Sequence, residues 1–91
     1  MKKDECIQSL QKFEALRSAA GVCFTLPRAS MYQSAKKEDP ENSWSISIRL
    51  YGSKHLYSVA DCAAYFEKAK AFFLEAYEGE PRAAIIEKLT F

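Results

Sequence analysis

The sequence predicts a small α+β domain with the element order α-β-β-β-α, in which a three-stranded antiparallel sheet has helices packed on one face. A short additional element follows at the C-terminus. Residues 43–59 alternate apolar and polar side chains around a glycine, as a β-hairpin does, and long segments on both sides repeat apolar residues at helical spacing. The hairpin must bury its apolar face, and the two helices are the elements available to cover it.

Length and composition are those of one ordinary globular domain, spanning 1–91. Of the 91 residues, 48% are hydrophobic and 27% are charged, which argues against a disordered chain. The formal net charge is +1. A protein that binds nucleic acid mainly by releasing counterions usually has a larger basic excess, so this charge disfavours that class.

Residues 4–20 predict the first helix, and Gly21 suits the left-handed position that ends many helices. Its apolar arc comprises Cys6, Leu10, Phe13, Leu16 and Ala20. Residues 22–26 (VCFTL) predict the first strand, which Pro27 places at the sheet edge or beside a bulge. We expect extended structure to resume at Met31 and Tyr32, and a polar loop over residues 34–43.

The central hairpin has the clearest local pattern. Gly52 and Ser53 fit a two-residue type II′ turn, which places Leu50 opposite His55 and Ile48 opposite Tyr57. Ile46 would then face Val59. This register predicts an apolar face toward the helices and an outward face formed by Ser45, Ser47, Arg49, Tyr51, Lys54, Leu56 and Ser58.

The second helix is predicted over residues 60–78. Ser58 and Asp61 have the spacing of a capping box at its start, and Gly79 is a natural stop. The apolar stripe comprises Cys62, Phe66, Ala69, Phe73, Ala76 and Tyr77. Pro81 suits the first position of a short helix, but residues 82–91 fit a helix or a final strand equally well.

No catalytic motif is recognisable. His55 is the only imidazole, and nothing in the sequence holds Ser53 and Asp61 beside it as a triad would require. The three glycines lie at element ends and form no phosphate-binding loop, and one histidine with three scattered cysteines does not make a metal site. We therefore expect a non-enzyme with no cofactor and no metal.

The cysteines and the hydropathy pattern predict a cytoplasmic location. Cys6, Cys23 and Cys62 are odd in number and far apart, unlike the disulfide framework of a small secreted protein. No apolar run approaches the length of a membrane span, and no apolar stretch of a secretory signal follows the first lysines.

The outward face of the hairpin is the candidate binding surface. Arg49, Tyr51, Lys54 and Leu56 lie there among small serines, and Tyr and Arg are enriched in interface hot spots. The alternative is a solvated sheet face with one exposed tyrosine. The loop with Lys36 and Lys37 is better explained as a solvated connector.

Residues 44–69 (WSISIRLYGSKHLYSVADCAAYFEKA) resemble the DNA-binding domains of the plant ethylene-response and phage-integrase type. In those domains a three-stranded sheet precedes an alanine-rich helix and enters the major groove. The resemblance implies that Arg49 and Lys54 contact DNA, together with Arg28. Ser45 and Ser47 depart from the pattern, since that family tends to carry large basic or aromatic side chains there.

The element order is also similar to that of a double-stranded-RNA-binding domain. Such domains bind phosphates through a lysine cluster at the start of the last helix. Here that helix opens with Ser58, Val59, Ala60 and Asp61, which is neutral to acidic.

From these features we expect a non-enzymatic protein that docks on a larger protein or nucleoprotein complex. As a class-level expectation it inhibits that complex, as accessory proteins of phages and mobile elements inhibit bacterial defence. The alternative is a DNA-binding module that uses the exposed sheet face, and a third hypothesis is a self-associating assembly subunit. A protein partner is favoured over free nucleic acid and no membrane partner is expected. The sequence leaves open the partner's identity, the oligomeric state, and whether binding inhibits or recruits.

Overall fold

The computed structural model describes residues 1–21, 29–34 and 38–91. Within these ranges the elements are α1 (Lys3–Ala20), β1 (Ser30–Gln33), a 3-10 turn (Pro40–Asn42), β2 (Trp44–Arg49), β3 (Ser53–Leu56), α2 (Val59–Ala76) and α3 (Pro81–Glu87). The predicted α+β class with a three-stranded antiparallel sheet is confirmed. The strand predicted at residues 22–26 lies outside the described residues, and β1 begins where extended structure was expected to resume.

The sheet has the order β1-β2-β3, with β2 in the centre and both pairings antiparallel. Ile46 of β2 lies opposite Met31 of β1 and opposite Leu56 of β3. Since paired residues share a face, these three apolar side chains point to one side of the sheet. Trp44 pairs with Gln33 at the end of β2, where it is half-buried against the core.

Helices α1 and α2 pack against each other and against this side of the sheet. Aromatic rings fill the space between them: the ring centroid of Phe13 is 5.7 Å from that of Tyr65, and Phe66 lies 5.6 Å from Phe91. The fully buried residues of the core comprise Cys6, Leu16, Ala20, Ile46, Cys62, Ala69 and Ile86. Buried aromatic side chains contribute much of the stabilisation in so small a domain.

Local signals set the helix ends. Gly21 has φ 69° at the end of α1, and its N–H donates to the carbonyl of Ser18 at 3.1 Å. The hydroxyl of Ser58 accepts a hydrogen bond from the N–H of Asp61 at 3.1 Å, as its spacing predicted. The carboxylate of Asp61 accepts from the N–H of Tyr57 at 3.2 Å, one residue before the N-cap.

The C-terminal segment, which the sequence left open between helix and strand, contains the helix α3. Ile86 of this helix is fully buried in the core. A guanidinium N–H of Arg82 donates to the carbonyl of Ala20 at 3.2 Å, and the same group lies 4.5 Å from the ring centroid of Tyr77. These contacts join α3 to the ends of both longer helices.

The hairpin register expected from the sequence is wrong. Arg49 pairs with Ser53 and Ile48 pairs with Lys54, so the strands are joined by a three-residue loop, residues 50–52, instead of a two-residue Gly-Ser turn. Gly52 has φ 77° in this loop, a conformation that favours glycine. Leu56 therefore lies on the buried side of the sheet.

The hydroxyl of Tyr65 explains why this loop forms. It accepts hydrogen bonds from the N–H of Leu50, at 2.9 Å, and from the N–H of Tyr51, and it donates to the carbonyl of Gly52 at 2.9 Å. One side chain of α2 thus satisfies three backbone groups of the loop. A contact between residues 13 to 15 positions apart is not visible in the local pattern of the hairpin.

The α-amino group of Met1 joins two segments of the sheet region. It donates to the carbonyl oxygens of Asn42, Trp44 and Tyr57 at 3.2, 2.9 and 3.3 Å.

Across residues 1–21, 29–34 and 38–91, no helix combines the length and apolar character that crossing a membrane would require.

Candidate functional site

The groups that a triad around His55 would need have other partners in the structure. Nδ1 of His55 lies 3.1 Å from the hydroxyl oxygen of Tyr32. The hydroxyl of Ser53 accepts a hydrogen bond from Nε of Arg49 at 3.0 Å. Asp61 caps the start of α2. Ser53, His55 and Asp61 are therefore not arranged as a triad.

Two buried thiols lie in the core. Cys6 of α1 and Cys62 of α2 are free and fully buried, and burial raises the pKa of both thiols. A protonated thiol without access to solvent is a poor nucleophile and a poor metal ligand. In the part of the chain that the structure describes, no three His, Cys, Asp or Glu side chains are placed to hold a metal ion. Cys23 lies outside that part.

The five residues predicted to bind a partner do not share one face. Leu56 is only 1% exposed and belongs to the core, which corrects its assignment to the outward face. Lys54 lies opposite Ile48, so it emerges on the helix-covered side of the sheet, which corrects its assignment too. Arg28 lies outside the described residues. Arg49 is exposed and alternates with buried neighbours, as expected.

Tyr51 lies in the loop and turns toward α2. Its ring centroid is 5.1 Å from that of Phe72, and both side chains are partly exposed. Tyr51, Lys54 and Leu56 border a shallow pocket of about 290 Å³ with Asp61 and Lys68 of α2. The structure thus places these three predicted residues together beside α2, and separates them from Arg49.

The other side of the sheet is left uncovered by every described element, because α1 and α2 both pack on the core side. We call this surface the open face. Its exposed and half-buried members are Ser30, Tyr32, Ser47, Arg49, Ser53, His55 and Tyr57, and Ser45 is buried among them. Most of these side chains carry a hydroxyl group, and the three aromatic ones stand in a row across the strands.

The row consists of Tyr32, His55 and Tyr57. The ring of His55 lies between the two tyrosines, with its centroid 6.0 Å from Tyr32 in an edge-to-face arrangement and 6.4 Å from Tyr57 in a stacked one. Tyr32 is 36% exposed and Tyr57 is 60% exposed. Partial burial raises the pKa of the Tyr32 hydroxyl, and the Tyr57 hydroxyl adds to that effect. The phenol of Tyr32 is therefore a neutral hydrogen-bonding group at physiological pH.

Sequence reasoning missed the two tyrosines. It placed Tyr57 on the core side because the assumed turn was one residue too short. The signal that would have located Tyr57 is the alternative pairing of Leu56 with Ile46, which joins two strongly apolar residues and brings the polar His55 and Tyr57 to the open side. Tyr32 was expected to be extended, and it lies in β1.

The charge on the open face is small. Arg49 is its one formal cation among the described residues, and no carboxylate belongs to the set. The guanidinium of Arg49 uses Nε to donate to Ser53, which holds the side chain along the strands. The face thus presents aromatic rings, hydroxyls and one positive charge.

No protein-family model matches the sequence, and neither a curated protein nor a solved structure is significantly similar to it.

Proposed function

We propose that this chain is a non-enzymatic binding protein that docks on a larger protein or nucleoprotein complex through the open face. The proposal includes the role of an inhibitory accessory protein, of the kind that phages and mobile elements direct against bacterial defence complexes. It also includes a cytoplasmic location, which the two free, buried thiols support.

The observation that carries the proposal is the uncovered aromatic row. Tyr32, His55 and Tyr57 leave large ring surfaces in solvent on a side of the sheet that no described element covers. Tyrosine is enriched at interface hot spots, since it offers a large amphipathic surface and has few rotatable bonds. The contact between the hydroxyl of Tyr32 and Nδ1 of His55 reduces the freedom of two of the three side chains before any partner binds.

The chemistry of the open face suggests what the partner presents. The tyrosine and serine hydroxyls donate and accept hydrogen bonds, and Arg49 adds donors suited to a carboxylate. A folded protein surface with apolar side chains, backbone carbonyls and one or two carboxylates complements these groups.

The alternative, a DNA-binding module on the same face, is favoured by the uncovered antiparallel sheet and by the position of Arg49. The distribution of charge favours the protein partner instead. Lys54, which the resemblance to DNA-binding domains assigns to the DNA contact, emerges on the helix-covered side of the sheet. A face with a single described cation neutralises few phosphates, whereas DNA affinity depends mainly on such contacts.

The test is affinity capture from a bacterial lysate, divided into nuclease-treated and untreated halves and read by mass spectrometry. The wild type is compared with a Tyr32→Ala, Tyr57→Ala double variant. The matched control replaces Tyr51 and Lys54 by alanine, since these residues lie beside α2. All three proteins are first checked for equal unfolding free energy in urea.

We expect a stoichiometric protein partner that survives nuclease, is lost by the open-face variant and is retained by the control. Binding of the purified partner should weaken by at least about 100-fold in the open-face variant, since two hot-spot tyrosines are removed. Retention of full affinity by that variant would refute the assignment of the open face. Capture of nucleic acid, with a log affinity that falls by about 0.9 in log salt for each phosphate neutralised, would instead support the DNA-binding alternative.

A further inference from the structure

A groove separate from the aromatic row runs between α1 and the end of β2. Its volume is about 330 Å³, at the lower end of the range for small-molecule sites. The described residues that form its walls are mainly apolar, comprising Ile7, Leu10, Phe13, Ala29, Ile48 and Leu50. Ile7 is 39% exposed, so apolar surface remains accessible to solvent at the groove.

The described charged residues that border the groove have a net positive charge. Glu14 and Arg17 of α1 form an ion pair, with 3.1 Å between Oε2 and Nε, and their charges cancel. Arg49 borders the opposite wall. Its Nε donates to Ser53, and the two terminal nitrogens of the guanidinium carry further N–H donors. Among the described residues that border this concave apolar surface, Arg49 is therefore the cation that no carboxylate pairs with.

We infer that this groove binds a small amphiphilic carboxylate, with its apolar chain against Ile7, Leu10 and Leu50 and its carboxylate paired with Arg49. Burial of the chain removes apolar surface from water on both sides of the contact. The carboxylate forms a charge-assisted hydrogen bond with the guanidinium, which favours an anionic over a neutral head group. The volume selects a free small molecule over a helix or strand of a partner.

The probe is decanoate, below its micelle concentration, titrated into the 15N-labelled protein and followed by amide chemical shifts. Decanol is the neutral match for the same chain length. We expect saturable shifts over residues 7–17 and 48–50, and an affinity for decanoate at least about threefold higher than for decanol. Equal affinity for the two probes, shifts centred elsewhere, or no saturable binding would overturn the inference.

Two variants locate the two parts of the ligand. Arg49→Gln should reduce the decanoate affinity to that of decanol and leave decanol binding unchanged. Lys54→Gln, which removes a cation on the same hairpin outside the groove, should leave both affinities unchanged. Ile7→Glu should weaken both probes at least about tenfold, since it places a carboxylate in the apolar wall.

The dispersion of the amide spectrum shows whether each variant is folded. If Ile7→Glu does not fold, the comparison of Arg49→Gln with Lys54→Gln still decides the inference. The groove and the open face share Arg49, but Tyr32 and Tyr57 lie outside the groove. The Tyr32→Ala, Tyr57→Ala variant, which keeps Arg49, should therefore bind decanoate as the wild type does. Retained decanoate binding by a variant that has lost its protein partner would separate the two sites.

Discussion

Replacing Tyr65 by phenylalanine removes the single hydroxyl that organises the loop between β2 and β3. The ring would stay in place, because it packs edge-to-face on Phe13 at 5.7 Å and the residue is only 6% exposed. The variant therefore changes three hydrogen bonds and almost no apolar packing. It isolates the contribution of α2 to the geometry of the loop.

The expected loss can be worked out from the three bonds. The N–H of Leu50 loses its partner within a buried residue, which costs about 1–3 kcal/mol. The N–H of Tyr51 and the carbonyl of Gly52 belong to exposed residues, where water can replace the hydroxyl, so each adds about 0.5 kcal/mol. The total is a destabilisation of about 2–4 kcal/mol. For a domain of this size that lowers the Tm by about 8–30 °C.

Urea unfolding followed by far-UV circular dichroism measures this loss, with the m-value checked for constancy. Tyr51→Phe is the matched control, because it removes the same atom from a partly exposed side chain of the same loop. We expect it to change the free energy of unfolding by less than about 0.5 kcal/mol. Tyr65→Phe and Tyr51→Phe variants of equal stability would refute the conclusion that the Tyr65 hydroxyl holds the loop.

Three further perturbations test the register, the loop and the buried thiols. Leu56→Ala should reduce the free energy of unfolding in urea by about 2–4 kcal/mol, because Leu56 is buried. Lys54→Ala should reduce it by less than about 0.5 kcal/mol, because Lys54 is exposed. Small losses of similar size in both variants would favour the two-residue turn. Gly52→Ala should cost about 1 kcal/mol in the same assay from its positive φ alone, because a Cβ there meets no atom within 4 Å; an unchanged midpoint would contradict that strain. Burial raises the pKa of Cys6 and Cys62 above their ordinary 9.0, so the folded state holds these protons more tightly. Their contribution to the free energy of unfolding is complete below pH 9.0 and is lost as the pH rises through the raised pKa values. In urea titrations, a Cys6→Ala, Cys62→Ala double variant should therefore lose less stability at alkaline pH than the wild type does. An identical loss in the two proteins would exclude the thiols as its source.

Local patterns in the sequence are enough to predict the two long helices, α1 and α2, whereas they left the segment that forms α3 open between helix and strand. The apolar arc of α1 ends at a glycine with positive φ, and Ser58 caps α2 as the spacing of Ser58 and Asp61 indicates. These features depend on residues within one turn of each other, so they form wherever the segment lies in the fold. The extended structure at Met31 and Tyr32 was predicted for the same reason, from local composition.

The candidate site was only partly predictable. Arg49 was found because its alternation with Ile48 and Leu50 holds in either register. Leu56 and Lys54 were assigned to the wrong side, and Tyr57 was missed, because all three follow the turn and change face when the turn lengthens by one residue. The ring of His55 lies between those of Tyr32 and Tyr57 only because three strands pair in one sheet. Local sequence patterns do not contain that pairing.

The sequence by itself determined the fold class, the extents of the two long helices and the alternation of β2. The tertiary structure decided the hairpin register, and with it the identity of the open face. Two contacts with distant residues explain this: the hydroxyl of Tyr65 satisfies three backbone groups of the loop, and Leu56 is buried in the helix-covered core. Both belong to long-range packing, whose free energy exceeds the small preference that a Gly-Ser pair has for a two-residue turn.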